Sequence, residues 1–320
     1  MLTHLIILLD DTSVSYCHYN PTPTLPIKKG AETRMPLDIL RKGILFAMKE
    51  NLNIQFVYPD YNLPATYDEV IESIDHTKIK PQAQSKDADV VVLTDWKQKD
   101  VDVQENVAYV LRTSKNELKE NLTAINSLLE KVHRLNIVIT DVADFQDVDM
   151  DDYNAILAEL SDCLLEQYKK GRAVQLNLLT DRMMLSEMNN CNAGVNNITL
   201  APNGKFYVCP AYYYEDVAND IGNLENGPNI KNAQLYKLDY APICRICDAF
   251  HCKRCVWQNQ QLTLDCNTPS HQQCVMAHLE RNASRKLLQR MKESGIRLNG
   301  YQEIKEIDYL DPFNIVNKWK

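Results

Sequence analysis

At 320 residues the chain has room for one large domain or two of ordinary size. Hydrophobic residues make up 45% and charged residues 24%, a globular balance that excludes a disordered chain, and no apolar run reaches the roughly 18 residues of a membrane span. A formal net charge of -8 argues against a nucleic-acid partner, because phosphate binding relies on a basic surface.

The first 185 residues alternate strand-like and helix-like segments. Leu5 to Leu9 reads as a short buried strand, followed by a polar, proline-bearing loop from Asp10 to Arg34. Pro36 suits the first turn of a helix in which Leu37, Leu40, Ile44 and Met48 share one face. Ile54 to Tyr58 is the second strand, Pro64 to about Ile74 a short helix, and Thr77 to Lys86 a loop. Val90 to Leu93 and Val107 to Leu111 are the next strands. Ser114 and Glu117 form an S-x-x-E capping box, opening a helix expected to run to about Leu135. Ile137 to Ile139 is the fifth strand, and a helix from about Met150 to Lys170 ends at Gly171. Val174 to Leu179 is the sixth strand. Near-continuous apolar strands between helices predict an α/β fold with a parallel sheet covered by helices; a partial (β/α)6 barrel and a doubly wound sheet both fit.

Three strands end in Thr-Asp, at Thr94-Asp95, Thr140-Asp141 and Thr180-Asp181, and the first two end near Asp10 and Asp60. Such carboxylates either line the ligand face of a parallel sheet or cap the turns that follow, and capping is the commoner role. After Asp181 the texture changes. Ile198 to Ala201 and Lys205 to Val208 flank Asn203-Gly204 as a β-hairpin, with Cys209 at its end. His278 to Met291 reads as a helix whose Arg281, Arg285, Lys286, Arg290 and Lys292 form a basic face. The segment from 299 to 320 is too apolar for a free tail and is expected to pack on the body. The expected organisation is 1–185, 186–298 and 299–320.

Eight of the ten cysteines fall between Cys191 and Cys274: Cys191, Cys209, Cys244, Cys247, Cys252, Cys255, Cys266 and Cys274. The run from Cys244 to Cys255 is C-x2-C-x4-C-x2-C, and gaps of two residues let successive thiolates turn toward one metal group. Eight thiolates match two four-thiolate sites. Disulfides would need an oxidising compartment, yet Leu5 to Leu9 is followed by Asp10 and Asp11 and lacks the features of a signal peptide. A cytoplasmic location with reduced thiols is expected, which favours metal binding. Iron–sulfur clusters and zinc both suit such soft ligands. Cys163 lies in an apolar helical pattern and reads as a small buried hydrophobe.

The spacing Cys191, twelve residues, Gly204, four residues, Cys209, followed by the C-x2-C core and a last cysteine downstream, resembles the SPASM domain. That domain extends peptide-modifying radical S-adenosylmethionine enzymes and holds auxiliary iron–sulfur clusters, and the β/α region is similar to their partial barrel. The chain departs from the pattern twice. The core of that domain is C-x2-C-x5-C-x3-C, so both later gaps here are one residue shorter. The C-x3-C-x2-C triplet that binds the S-adenosylmethionine cluster is absent from the sequence, and the loop after the first strand offers only Cys17, next to His18. Together with the opening L-I-I-L-L-D-D-T-S-V-S-Y-C-H-Y, the chain resembles the CXXX repeat peptide maturase family.

The resemblance implies two 4Fe-4S clusters, with two zinc ions as the alternative, and no S-adenosylmethionine cluster. Cys191, Cys209 and Cys255 would hold one cluster; Cys244, Cys247, Cys252 and Cys274 would hold the other, with Cys266 completing the first or exchanging roles with Cys274. His251, His271 and His278 are candidates only as hydrogen-bond donors to the ligands, and Cys17 with His18 form a weak nucleophile–base candidate. The implied role is maturation of a ribosomally made Cys-repeat precursor peptide beside a partner radical enzyme encoded nearby. A non-catalytic, metal-stapled scaffold for that peptide is the alternative. An unrelated sugar- or nucleotide-processing enzyme would want a grouped glycine loop after a strand, and the nine glycines include none.

Overall fold

The computed structural model describes residues 1–17, 33–93, 102–297 and 299–304. In chain order the elements are β1 (His4–Leu8), α1 (Leu37–Glu50), β2 (Asn53–Val57), α2 (Ala65–Ile71), β3 (His76–Pro81), β4 (Val90–Leu93) and β5 (Ala108–Thr113). Next come α3 (Lys115–Glu120), α4 (Leu122–Leu129), β6 (Arg134–Ile139), α5 (Asp147–Lys169), β7 (Gln175–Leu176) and α6 (Thr180–Met184). The last third holds β8 (Asn197–Leu200), β9 (Phe206–Tyr207), α7 (Pro210–Glu215), the two-residue strands β10 (Gly222–Asn223) and β11 (Gly227–Pro228), α8 (Val256–Thr263) and α9 (His271–Glu293).

The chain forms two units, each from two segments: Met1–Thr94 with Asn192–Lys237, and Asp95–Cys191 with Leu238–Lys320. In the first unit six strands run in the order β4-β3-β2-β1-β8-β9. All pairs are parallel except β8 with β9, where the hairpin turns back at Gly204 with φ +76°. Strand β1 is central and fully buried after its first residue, as its unbroken apolar run requires. Helix α1 covers it, with Leu40, Ile44 and Ala47 packed among Leu5, Ile7, Phe56 and Leu200. A Cβ on Gly43 would lie 2.5 Å from Leu200 Cδ2, so the helix approaches the sheet this closely because position 43 has no side chain.

The second unit carries β5-β6-β7 in parallel. Its long helices α5 and α9 pack against each other, burying Leu157, Leu160, Leu164, Leu287 and Leu288.

Several expectations change. Residues 76–81 form β3 rather than a loop, paired in register with β2 from Ile54↔His76 to Val57↔Ile79. Its sequence HTKIKP buries only Ile79 and Pro81, too weak an apolar signal to read as a strand. The helix opened by the Ser114–Glu117 box keeps its capping box but breaks at Asn121 (φ -115°, ψ 22°), and Arg134 and Leu135 belong to β6. Strand β7 is two residues long, not six. Met48 is 60% exposed; the small residues Gly43 and Ala47 face the sheet instead. Helix α9 starts seven residues before His278, at His271. Arg281 is buried, so it is not part of a solvated basic face. Near the chain's end, the Tyr301 hydroxyl meets that of Tyr168 at 2.6 Å and Ile304 is buried. The rest of that segment, 305–320, lies outside the described residues.

Candidate metal centre

The second unit brings four of the eight clustered cysteines to one cavity. Cys244 opens a short 3-10 turn, Cys247 N–H donates to Cys244 O at 3.2 Å, and Cys252 N–H to Ala249 O at 2.9 Å. These tight turns fold the run back on itself. Ser270 then caps α9, placing Cys274 in its first turn. The resulting cavity, about 30 Å³, is lined by Cys244, Cys247, Cys252 and Cys274, together with Arg254 and Gln273. Among the described residues no three His, Cys, Asp or Glu side chains converge as a single-ion site.

Burial raises the thiols of Cys244, Cys252 and Cys255. It pushes Cys244 up to about 11 against the pull of the Arg254 guanidinium, and holds Cys252 well above the usual thiol range. Cys255, which caps α8, is pushed up to about 12, with Cys191 adding like-charge repulsion. A metal group held by Cys244, Cys252 or Cys255 works against this burial, since it binds the deprotonated sulfur. The second half of the cysteine set is less gathered. Cys191 is exposed, and its N–H donates to Lys253 O at 3.0 Å, which fixes it beside the core run. Cys266 is half-buried and feels the charge of Arg254. Cys209 is buried in the first unit, at the end of β9 and the start of α7.

Buried polar residues hold the run in place. Arg281 Nη1 donates to Asp248 Oδ1 at 2.6 Å, and Arg182 Nε to Asp248 O at 2.6 Å. The Arg182 guanidinium also lies 4.3 Å from the Phe250 ring centre. His251 Nε2 sits 2.9 Å from Glu280 Oε2, whose partner oxygen accepts from Tyr153 OH at 2.6 Å. His278 Nε2 lies 3.4 Å from Cys247 Sγ, in contact with a cavity thiol. None of Asp248, Arg254, Gln273 and Arg281 was legible as a site residue, since each reads alone as an ordinary polar position. Arg254 carries a trace of its role in its backbone, with φ +43° in a non-glycine residue.

In the first unit, carboxylates tie together the described residues that flank the loop after β1. Asp10 is fully buried; Oδ1 accepts from Thr12 N–H and Oγ1 at 2.7 Å each, and Oδ2 from Tyr61 OH at 2.5 Å and Thr33 Oγ1 at 3.1 Å. Asp11 accepts from Tyr213 OH, and Tyr214 OH donates to Ser13 O at 2.9 Å. Burial raises the Asp11 carboxyl above the usual range, partly offset by the Tyr213 hydrogen bond. Cys17 is exposed, and His18 lies outside the described residues. Cys163 Sγ faces Asn126 O at 3.8 Å on the flank of α5. The strand-end carboxylates serve as turn and ion-pair partners: Asp141 accepts from Lys115 N–H at 2.9 Å, and Asp181 pairs with both Arg134 guanidinium nitrogens at 3.1 and 3.0 Å. Asp95 lies outside the described residues.

No family model matches the chain, and no curated protein does. Solved structures do. Hexahistidine-tagged anSMEcpe with bound AdoMet superposes with a TM-score of 0.61 at 13% identity, covering 90% of this chain and 98% of that one. Native anSMEcpe with bound AdoMet and Cp18Cys peptide gives 0.58 at 13% identity, covering 91% and 99%. The same protein with Kp18Cys peptide gives 0.58 at 12%, covering 90% and 99%. At this identity the likeness is one of fold, a mixed α/β architecture on a large parallel sheet, over nearly the full length of both chains.

Proposed function

We propose that the chain takes part in maturing a ribosomally made Cys-repeat peptide, using auxiliary iron–sulfur clusters of the SPASM kind and working beside a partner radical S-adenosylmethionine enzyme. The observation that carries this reading is the single cavity bounded by Cys244, Cys247, Cys252 and Cys274. Those are the four thiols that the SPASM resemblance assigns to one cluster. The fold likeness to anSMEcpe, whose solved structures hold AdoMet and the Cp18Cys or Kp18Cys peptide, supports the same direction.

The residues fit such a group on donor chemistry. Four soft sulfur donors face a cavity, and buried polar side chains border it. A four-thiolate zinc ion would use the same soft donors. An iron–sulfur cluster is the reading the resemblance favours. When bound, it supplies one-electron transfer at a potential set by its surroundings. Cys191, Cys255 and Cys266 of the second unit are proposed for the other cluster, and the assignment of Cys209 to it rests on sequence spacing alone.

The missing C-x3-C-x2-C triplet favours partnership, or the second reading of a metal-stapled scaffold that presents the peptide. Where the resemblance expects a cysteine triplet, this chain commits its buried acceptors to Thr12, Thr33 and Tyr61. Metal and sulfide analysis of anaerobically purified protein, with its visible spectrum, tests the proposal. About eight iron and eight sulfide per chain are expected for two cubane clusters. Zinc without colour would leave the scaffold reading, and no metal would end both.

A further inference from the structure

Gln273 departs from the local chemistry of its own helix. It is the third residue of α9, and with Ser270 it makes the S-x-x-Q pattern of a capping box. Ser270 does its half: its hydroxyl accepts from Gln273 N–H at 3.2 Å. The reciprocal half would turn the glutamine carboxamide back to the Ser270 N–H. Instead the side chain lines the thiol cavity, where the residue is 6% exposed and neither Oε1 nor Nε2 has a hydrogen-bond partner.

Leaving a buried polar group unsatisfied costs about 1–3 kcal/mol, and the capping geometry that would avoid that cost is close at hand. Apolar groups of Met188, Ile243, Pro269 and Ala277 make up much of the wall around the carboxamide. Thiol sulfur is a weak acceptor, whereas thiolate and sulfide are charged ones. A sulfur-ligated group in the cavity would therefore offer the amide the acceptor it lacks.

We propose that Gln273 is a positioning residue for the group held by Cys244, Cys247, Cys252 and Cys274, donating a hydrogen bond from Nε2 to one of its sulfurs. The proposal rests on the cluster reading above. A donor to sulfur stabilises the more negative, reduced state and raises the reduction potential. Its removal lowers that potential.

The test compares wild type with Gln273→Met, which keeps length and removes both polar atoms, and Gln273→Glu, which keeps shape and removes the N–H. Iron and sulfide are counted first, and the potential is then read by anaerobic redox titration. Of the two cluster signals, the relevant one is that lost in Cys274→Ser. Expected is full iron in the wild type and, in both variants, a roughly tenfold lower reduced-to-oxidised ratio at fixed poise, equivalent to 59 mV for one electron, with the other cluster unmoved. Loaded variants with an unchanged potential would overturn the role of Gln273 and leave the cluster reading standing. Wild type without iron and sulfide would overturn both. If neither variant folds, the wild type decides: its iron–sulfur vibrations should shift on exchange from H2O to D2O, and no shift removes the donor.

Discussion

Arg281 and Asp248 form a salt bridge of 2.6 Å in which the side chains are 3% and 1% exposed. Asp248 follows Cys247 directly, and Arg281 sits two turns along α9 from Cys274, so one pair ties both ends of the cavity wall together. Removing one partner of a buried pair strands the other charge. Arg281→Met is therefore expected to lower stability by about 3–5 kcal/mol, read by urea unfolding of the metal-free protein. The double variant Arg281→Met with Asp248→Leu should recover a good part of that loss. An exposed pair such as Lys42 with Asp38 offers the contrast, at well under about 1 kcal/mol when Lys42 is replaced by Ala.

Asp10 carries a comparable load in the first unit. Its carboxylate accepts four hydrogen bonds while fully buried. Hydrogen bonds to a charged group are worth about 1.5–3 kcal/mol each and are not additive. Asp10→Ala is expected to cost about 3 kcal/mol or more of stability, read as a lowered denaturation midpoint, because it leaves the Tyr61 and Thr33 hydroxyls facing a void. Asp10→Asn keeps the shape and one carbonyl acceptor and should cost less. Equal stability of wild type and Asp10→Ala would show that the hub does not hold the loop.

The parallel sheet was legible because Leu5 to Leu9, Ile54 to Tyr58 and Val90 to Leu93 are apolar runs too short for helices. Strand β3 was not, since its stability comes from the register with β2 and not from its own polar residues. The same divide runs through the site. Cysteine spacing pointed to Cys244, Cys247 and Cys252, which the fold brings to one cavity, because thiols two and four residues apart are a common metal-ligand pattern. Cys274 joined them through the resemblance. Asp248, Arg254, Gln273 and Arg281 stayed hidden, as a polar residue reveals its role only through what it faces once folded. Gln273 left the one local clue, a Ser270-x-x-Gln273 motif whose glutamine does not cap.

Asp11 gives the pH dependence a definite sign. Burial holds its folded carboxyl above the unfolded value, more than the Tyr213 hydrogen bond lowers it. A raised acid contributes stability that is complete below the unfolded value and is lost as pH rises through the folded one. Asp11→Asn cannot ionise and keeps an acceptor for Tyr213 OH. Its stability relative to wild type should therefore rise from about pH 3 to about pH 7, measured by urea midpoints at several pH values. A flat difference would mean the Asp11 carboxyl is not perturbed.

The proposed partition of thiols makes a prediction for iron content. Cys274 lines the cavity and Cys266 does not, although sequence spacing allowed either as the closing ligand. Cys274→Ser should remove about half of the iron, leaving the spectrum of one cluster, since a serine oxygen is a harder and poorer ligand for that group. Cys266→Ser should spare the cluster lost in Cys274→Ser and affect only the other. Cys163→Ala, whose thiol faces Asn126 O on the flank of α5, should change the iron content of neither. The decisive comparison is the double variant Cys266→Ser with Cys274→Ser. If the two thiols serve separate groups, its iron loss equals the sum of the single losses; if they substitute for each other at one group, the singles lose little and the double loses that group entirely.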